Sequence, residues 1–296
     1  MYWIPAMSDN LLHVRNLRVS FKTARGPVDV VRGISFDIGR EKVGIVGESG
    51  SGKSLTGRSM LKLLPKTATI TADKLEFMGE DLQGASERRM RQIRGRHISM
   101  ILQDPKFSLN PLVKIGPQIV EAYRVHHKVA GAAAKARAIE MLESVHIRDP
   151  EHVFNLYPHE VSGGMGQRVM IAMMLIPEPD LIIADEPTSA LDVTVRRQVL
   201  SILDELVTRR GTGLMFISHD LNMVASFCDR VLVMYAGRIM EDLPARDLHK
   251  AQHPYTRALL QSLPRLDKPT DRLVVPTRDP AWLTEPTLQT KFEPSA

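Results

Sequence analysis

Cysteine is nearly absent: Cys228 is the only one in 296 residues. That excludes an intrachain disulfide and any cysteine-built metal or iron–sulfur site. Cys228 itself reads as a small apolar packing residue, and such usage fits a reducing compartment. No apolar run approaches the ~18 residues that would span a bilayer. The opening MYWIPAMSDN lacks the charged start and apolar centre of a secretory signal. It reads as a short disordered lead, with Met7 an alternative start, so any work at a membrane depends on other chains. No repeat of about 20–50 residues is present. A large excess of either charge is also lacking: the net charge is +5, with Lys and Arg spread along the chain, which reads as a solvated surface in preference to a binding stripe and leaves room for a nucleic-acid or anionic-membrane partner without singling one out.

What is present is an ordinary globular composition, 43% apolar and 25% charged, with length enough for a sizeable core. Residues 11–46 alternate apolar stretches with turns and predict antiparallel strands followed by one buried strand. Residues 54–64 have helical spacing that stops at Pro65. HISMILQD reads as a strand, residues 116–175 as mostly helical, and DLIIADE as a buried strand. VTVRRQVLSILDELVTRRG predicts an amphipathic helix ending at Gly211, and GLMFISHD and RVLVMYAGRIMEDL add strands. This alternation predicts an α/β core with a parallel sheet, into which the helical stretch is inserted. Prolines crowd the chain beyond residue 249, so 250–296 reads as an extension. Its last ~20 residues are expected to be poorly ordered or laid along a surface.

Two glycine-rich stretches carry the chemistry. GESGSGKS, residues 47–54, fits the G-x-x-x-x-G-K-[S/T] pattern between a predicted strand and a predicted helix. Gly47, Ser49, Gly50, Ser51 and Gly52 bring backbone N–H groups close to phosphate oxygens, reinforced by the helix dipole. Lys53 is expected to reach the β and γ phosphates, and the Ser54 hydroxyl to ligate Mg²⁺. VSGGM, residues 161–165, opens a second helix with N–H groups free to meet an anion. LIIADE ends a strand in two acids. Asp185 is placed to hold Mg²⁺, and Glu186 to polarise an attacking water, help worth ~10²–10⁴ in rate. Gln103, Asp192 and His219 each follow strand-like or loop stretches where ligand crevices form.

In this order the motifs resemble the ATP-binding cassette (ABC) ATPases, over residues 11 to about 245. The resemblance implies a phosphate-loop α/β core with an antiparallel β subdomain and a helical subdomain (about 116–175) within residues 1–249, then the extension 250–296. It implies that Ser162, Gly163 and Gly164 form the signature and that Asp192 lies in the D-loop. His219 becomes the switch histidine at the γ-phosphate, and Gln103 the glutamine linking Mg²⁺ and γ-phosphate to a transmembrane partner. Phe21 becomes the candidate aromatic against adenine, with a core role as its alternative. Two such cassettes pack head to tail, so the second glycine pair serves an ATP bound mainly by another chain.

Val161 and Met165 depart from the commoner L-S-G-G-Q. Met165 with QRVMIAM, together with MILQDPKFSLNP, EPTSALDVTVRRQVL and HPYTRALLQSLP, resembles the oligopeptide, dipeptide and nickel importer ATPases. Many of those carry a cysteine-rich cluster segment near the C-terminus, and its cysteines are missing here. The implied partners are two transmembrane permeases, a second ATPase (a heterodimer favoured over a homodimer) and, indirectly, a solute-binding protein, with no nucleic acid. The implied place is the cytoplasmic face of a bacterial inner membrane. Two rivals stay open. One is a soluble cassette ATPase acting on ribosomes or nucleic acid. Such relatives carry two cassettes or a long coiled-coil insertion, whereas about 110 residues without sustained heptads separate Gly52 from Ser162. The other is a non-hydrolysing partner in an asymmetric pair, against which Glu186 and His219 argue. The ERRMRQIRGR arginines read as a solvated face, His126 and His127 as exposed helix residues, and Met170, Met173 and Met174 as core packing.

Overall fold

The computed structural model describes residues 10–105, 108–189, 191–262, 279–284 and 286–289. The start of the chain, with Met7, lies outside them, as does part of the extension. In chain order the first elements are β1 (Asn10–Thr23), β2 (Gly26–Gly39), β3 (Lys42–Val46), α1 (Lys53–Met60), β4 (Ala68–Thr71), β5 (Lys74–Phe77) and β6 (Glu80–Asp81). Then come α2 (Glu87–Ile93), β7 (Ile98–Ile101), α3 (Ile115–Arg124), α4 (Gly131–Ser144), α5 (Pro150–Phe154), α6 (Gly163–Leu175), β8 (Leu181–Asp185) and α7 (Val193–Arg210). The chain continues through β9 (Gly213–Ile217), α8 (Leu221–Phe227), β10 (Arg230–Tyr235), β11 (Arg238–Pro244), α9 (Pro254–Gln261) and β12 (Leu288–Gln289). These form two compact units, one of residues up to Gly84 and from Met215 onward, the other Ala85–Leu214.

In the first unit β1 pairs antiparallel with β2, β4 and β5. Its inward residues are Leu12 and Val14, then Leu17 and Val19, all fully buried. The change from even to odd positions falls at an irregularity between Val14 and Leu17, where Asn16 takes φ +50°. A bulge of this kind returns the apolar residues to the core face after an extra residue. β3 and β10 pair in parallel, with Ile45 opposite Leu232, and β11 runs antiparallel to β10. β12 adds in parallel to β11, with Leu288 opposite Glu241. β3 is buried from Val43 to Val46, as a strand covered on both faces requires.

α1 ends at Met60, short of the expected stop at Pro65. Lys62 takes φ +50°, its N–H donates to Ser59 O at 3.1 Å, and Leu63 N–H donates to Arg58 O at 2.9 Å. This is a Schellman termination with a lysine where glycine is usual, so composition did not announce it.

In the second unit β7 and β8 pair in parallel, with Met100 opposite Ile183, and both are buried throughout. Residues 115–175 hold α3, α4, α5, a 3₁₀ turn at Pro158–Glu160, and α6. α7 runs to Arg210 and ends on Gly211 at φ +59°, as expected. His126 and His127 differ from expectation. They are half-buried in the turn after α3, where Arg96 donates to His126 O at 2.9 Å and the His127 ring stacks on Tyr123 at 4.5 Å. Burial, then the nearby charge of Arg96, pushes the His126 pKa down. Met170 is fully buried, whereas Met173 and Met174 are only half-buried on the outer part of α6. Cys228 is buried, and desolvation pushes its thiol pKa up, which keeps it protonated.

Candidate functional site

The phosphate loop lies between β3 and α1, in the first unit. Ser49 and Gly50 are exposed at its crest, and no atom lies within 4 Å of where a Gly50 Cβ would sit. Gly52 caps α1 at φ +101°. A side chain at Gly47 would collide with the Met234 carbonyl oxygen, so glycine there lets the loop lie against the end of β10. Lys53, 5% exposed, donates from Nζ to Gly47 O at 2.8 Å and Glu48 O at 2.9 Å. Ser51 Oγ lies 3.5 Å from the same ammonium. Ser51 N–H donates to Glu48 O at 3.1 Å, and Gly237 N–H to Ser51 O at 2.9 Å. The loop is therefore braced on its inner side, with its crest exposed. Ser54 is half-buried at the second position of α1.

The same unit holds His219 and Phe21. His219 is exposed just beyond β9, in a turn where Asp220 N–H donates to Ser218 Oγ at 3.0 Å. Asp220 in turn caps α8, accepting from Met223 N–H at 3.0 Å. Phe21 is half-buried near the β1–β2 turn, paired with Val28 and Ala68.

The second unit brings together the signature, the acid pair and the Asp192 loop. Ser162 caps α6, its Oγ accepting from Met165 N–H at 3.3 Å. Ser162 and Gly163 are exposed, and nothing lies within 4 Å of a Gly163 Cβ position. Gly164 faces α7, where a Cβ would come 2.7 Å from Val195 Cγ1. Asp192 caps α7, its Oδ1 accepting from Thr194 and Val195 N–H, both at 3.0 Å. One turn into α6, the buried Gln167 donates from Nε2 to Pro187 O, next after the acid pair. Asp185 is 2% exposed at the end of β8. Glu186 is half-buried with φ +48°, a left-handed conformation for a residue with a Cβ, closed by Ser189 N–H on its carbonyl at 3.3 Å. Strain of that kind is kept where the surroundings over-determine it. Gln103 is exposed two residues beyond β7. Sequence reasoning missed Gln167 and Val195. The first lies inside QRVMIAM and the second inside DVTVRR, and neither has a type that marks a site.

Residues 31–189 match the family described as ABC transporter. The chain belongs to that family. Residues 240–292 also match the family described as oligopeptide/dipeptide transporter, C-terminal region. A probable peptide ABC transporter ATP-binding protein of Sinorhizobium fredii (strain NBRC 101917 / NGR234) is 50% identical over 260 residues, 87% of this chain and 78% of that one. The oligopeptide transport ATP-binding protein OppD of Bacillus subtilis (strain 168) is 48% identical over 260 residues, 87% of this chain and 73% of its own. Among solved structures, the post-hydrolysis dimer of the ATP-binding cassette MJ0796 bound to ADP and Pi has a TM-score of 0.69 at 25% identity. That likeness covers 79% of this chain and 99% of the other. The cassette is thus an ATPase with the phosphate-loop α/β fold of ABC transporters. No helix among its described residues is long and apolar enough to cross a membrane.

Proposed function

We propose that this cassette powers the import of dipeptides or oligopeptides across a bacterial cell membrane, from its cytoplasmic face. The match of residues 240–292 to the oligopeptide/dipeptide transporter C-terminal region carries this reading, since it lies outside the residues 31–189 that match the ABC transporter family in general. Two permeases and a second ATPase, a sister chain in preference to another copy, complete the complex. A solute-binding protein delivers peptide to the permeases, and peptide never touches this chain. Within the chain, residues 1–249 form the cassette, with its helical subdomain at about 116–175, and residues 250–296 form the extension.

Each residue then has a task. The phosphate-loop N–H groups and Lys53 hold the β and γ phosphates, and Phe21 lies against adenine. Gln103 reports γ-phosphate to the permease, and His219 contacts γ-phosphate. Glu186 takes a proton from the attacking water. Ser162, Gly163 and Gly164 present the positive end of α6 to an ATP held by the other cassette, for which the exposure of Ser162 and Gly163 leaves room. Asp192 fixes the α7 start against which Gly164 packs. ATP binds the closed pair better than the open one, and that difference drives closure.

The donors suit Mg²⁺. Ser54 and Asp185 are hard oxygen ligands. Among the described residues no group of three or more His, Cys, Asp or Glu could hold a metal. Mg²⁺ takes one or two such protein ligands and fills the rest of its shell with phosphate and water. When bound, the ion neutralises phosphate charge. The test is purification of tagged Glu186→Gln chain from its own cells in mild detergent with ATP and Mg²⁺, followed by mass spectrometry. Two permeases and a second ATPase are expected. Ribosomal or DNA-repair proteins with no membrane subunit would overturn the import reading.

A further inference from the structure

Tyr255, on α9, is the largest fully buried side chain of the described residues, with 0% exposure. Its ring lies 4.7 Å from Tyr235 at the end of β10 and 5.9 Å from Trp282. A tyrosine so deeply placed needs a partner for its hydroxyl. That partner is the phosphate loop: Glu48 N–H donates to Tyr255 Oη at 3.3 Å, across 207 residues of sequence. Glu48 N–H and Gly47 O belong to one peptide, and Gly47 O is the acceptor of Lys53 Nζ at 2.8 Å.

The seat of Tyr255 is itself specified. Glu241, 1% exposed on β11, accepts from Gln252 N–H at 2.7 Å and from His253 N–H at 3.3 Å. His253 Nδ1 accepts from Tyr255 N–H at 3.1 Å and so caps α9. The His253 ring also meets Trp282 edge-on at 5.7 Å. A continuous path of bonded groups therefore leads from β11, through the start of α9, to the backbone that receives phosphate. All of it lies within the first unit.

We propose that Tyr255 is a positioning residue that fixes the Gly47–Glu48 peptide, and that the C-terminal region thereby sets the affinity of the phosphate loop for ATP. The proposal rests on the reading of residues 47–54 as the ATP site. Without the hydroxyl the peptide loses the restraint on its N–H while the Lys53 bond to its carbonyl remains. Part of the loop's ordering then falls to the nucleotide, which weakens binding without altering the groups that act on it.

The test is Tyr255→Phe, which keeps the ring and removes one oxygen. Loss of one hydrogen bond of this class predicts an ATP Kd about three- to tenfold higher. KM for ATP should rise by the same factor with kcat retained, and the melting temperature should stay within about 3 °C. Leu248→Ala, which trims a buried apolar side chain of the same region, is the comparison. It should lower the melting temperature and leave the ATP Kd unchanged. An unchanged Kd in Tyr255→Phe, or an equal rise in Leu248→Ala, would overturn the positioning role. If the unsubstituted chain itself bound no ATP, the fault would lie in the assignment of the site and not in Tyr255.

Discussion

Lys53 and Tyr255 hold opposite ends of a single peptide group, the one joining Gly47 to Glu48. The lysine takes the carbonyl at 2.8 Å and the tyrosine takes the N–H at 3.3 Å. This peptide is thus held at both ends, once from within the motif itself and once from 207 residues away. Preorganised donors bind anions well because little ordering is left to do.

Glu186→Gln separates binding from turnover. The amide is close to isosteric and keeps the φ +48° backbone, so fold and ATP affinity should hold. Turnover should fall by about 10²–10⁴, the usual worth of general-base help. Isothermal titration with ATP and a phosphate-release assay on the same preparation make the comparison. Turnover within twofold of the parent would remove Glu186 from the role.

The two signature glycines should respond differently to alanine. Gly163 has open space around its Cβ position, so Gly163→Ala should melt at or slightly above the parent temperature. Gly164→Ala puts a methyl 2.7 Å from Val195 Cγ1 and should cost on the order of 1–3 kcal/mol. Both should lose ATP-driven association with the sister cassette, read by light scattering of the two chains mixed, in the Glu186→Gln background. Equal melting temperatures for the two would contradict the packing of Gly164 on α7.

Acid stability should depend on Asp37. Burial alone would raise its pKa, but hydrogen bonds from Arg15 at 2.8 Å and the His13 ring at 2.8 Å outweigh it and leave the carboxyl below its usual value. A depressed folded-state pKa contributes stability above the unfolded value of roughly 4, lost as pH falls through the folded value. Asp37→Asn should therefore melt below the parent at pH 7, and the gap should close as the pH drops below about 4. Thermal melts of both chains across that range check it, and a gap that widens in acid would reverse the sign.

Much of this was legible because local spacing carries it. G-x-x-x-x-G-K-S fixes a strand, a loop and a helix start within a few residues, and the apolar run before Asp185 and Glu186 could only be a covered strand. The Gly211 stop of α7 was equally plain. What escaped was set by tertiary contact. The end of α1 depends on Lys62 accepting a left-handed backbone, and nothing in SMLKLL marks it. His126 and His127 became half-buried because the turn after α3 folds onto Arg96 and Tyr123. HPYT was recognisable as a family motif, yet its contact with Glu48 spans 207 residues and leaves no local pattern. The positive φ of Glu186 is likewise invisible in the Asp185–Glu186–Pro187 sequence.

The most direct test of the central claim is uptake of a labelled di- and oligopeptide mixture by cells lacking this chain, complemented with the parent sequence or with Lys53→Ala. Restoration by the parent and near-background uptake with Lys53→Ala, at equal protein level, is the predicted result. Uptake with Lys53→Ala equal to the parent would contradict the claim that ATP bound at this loop powers peptide import.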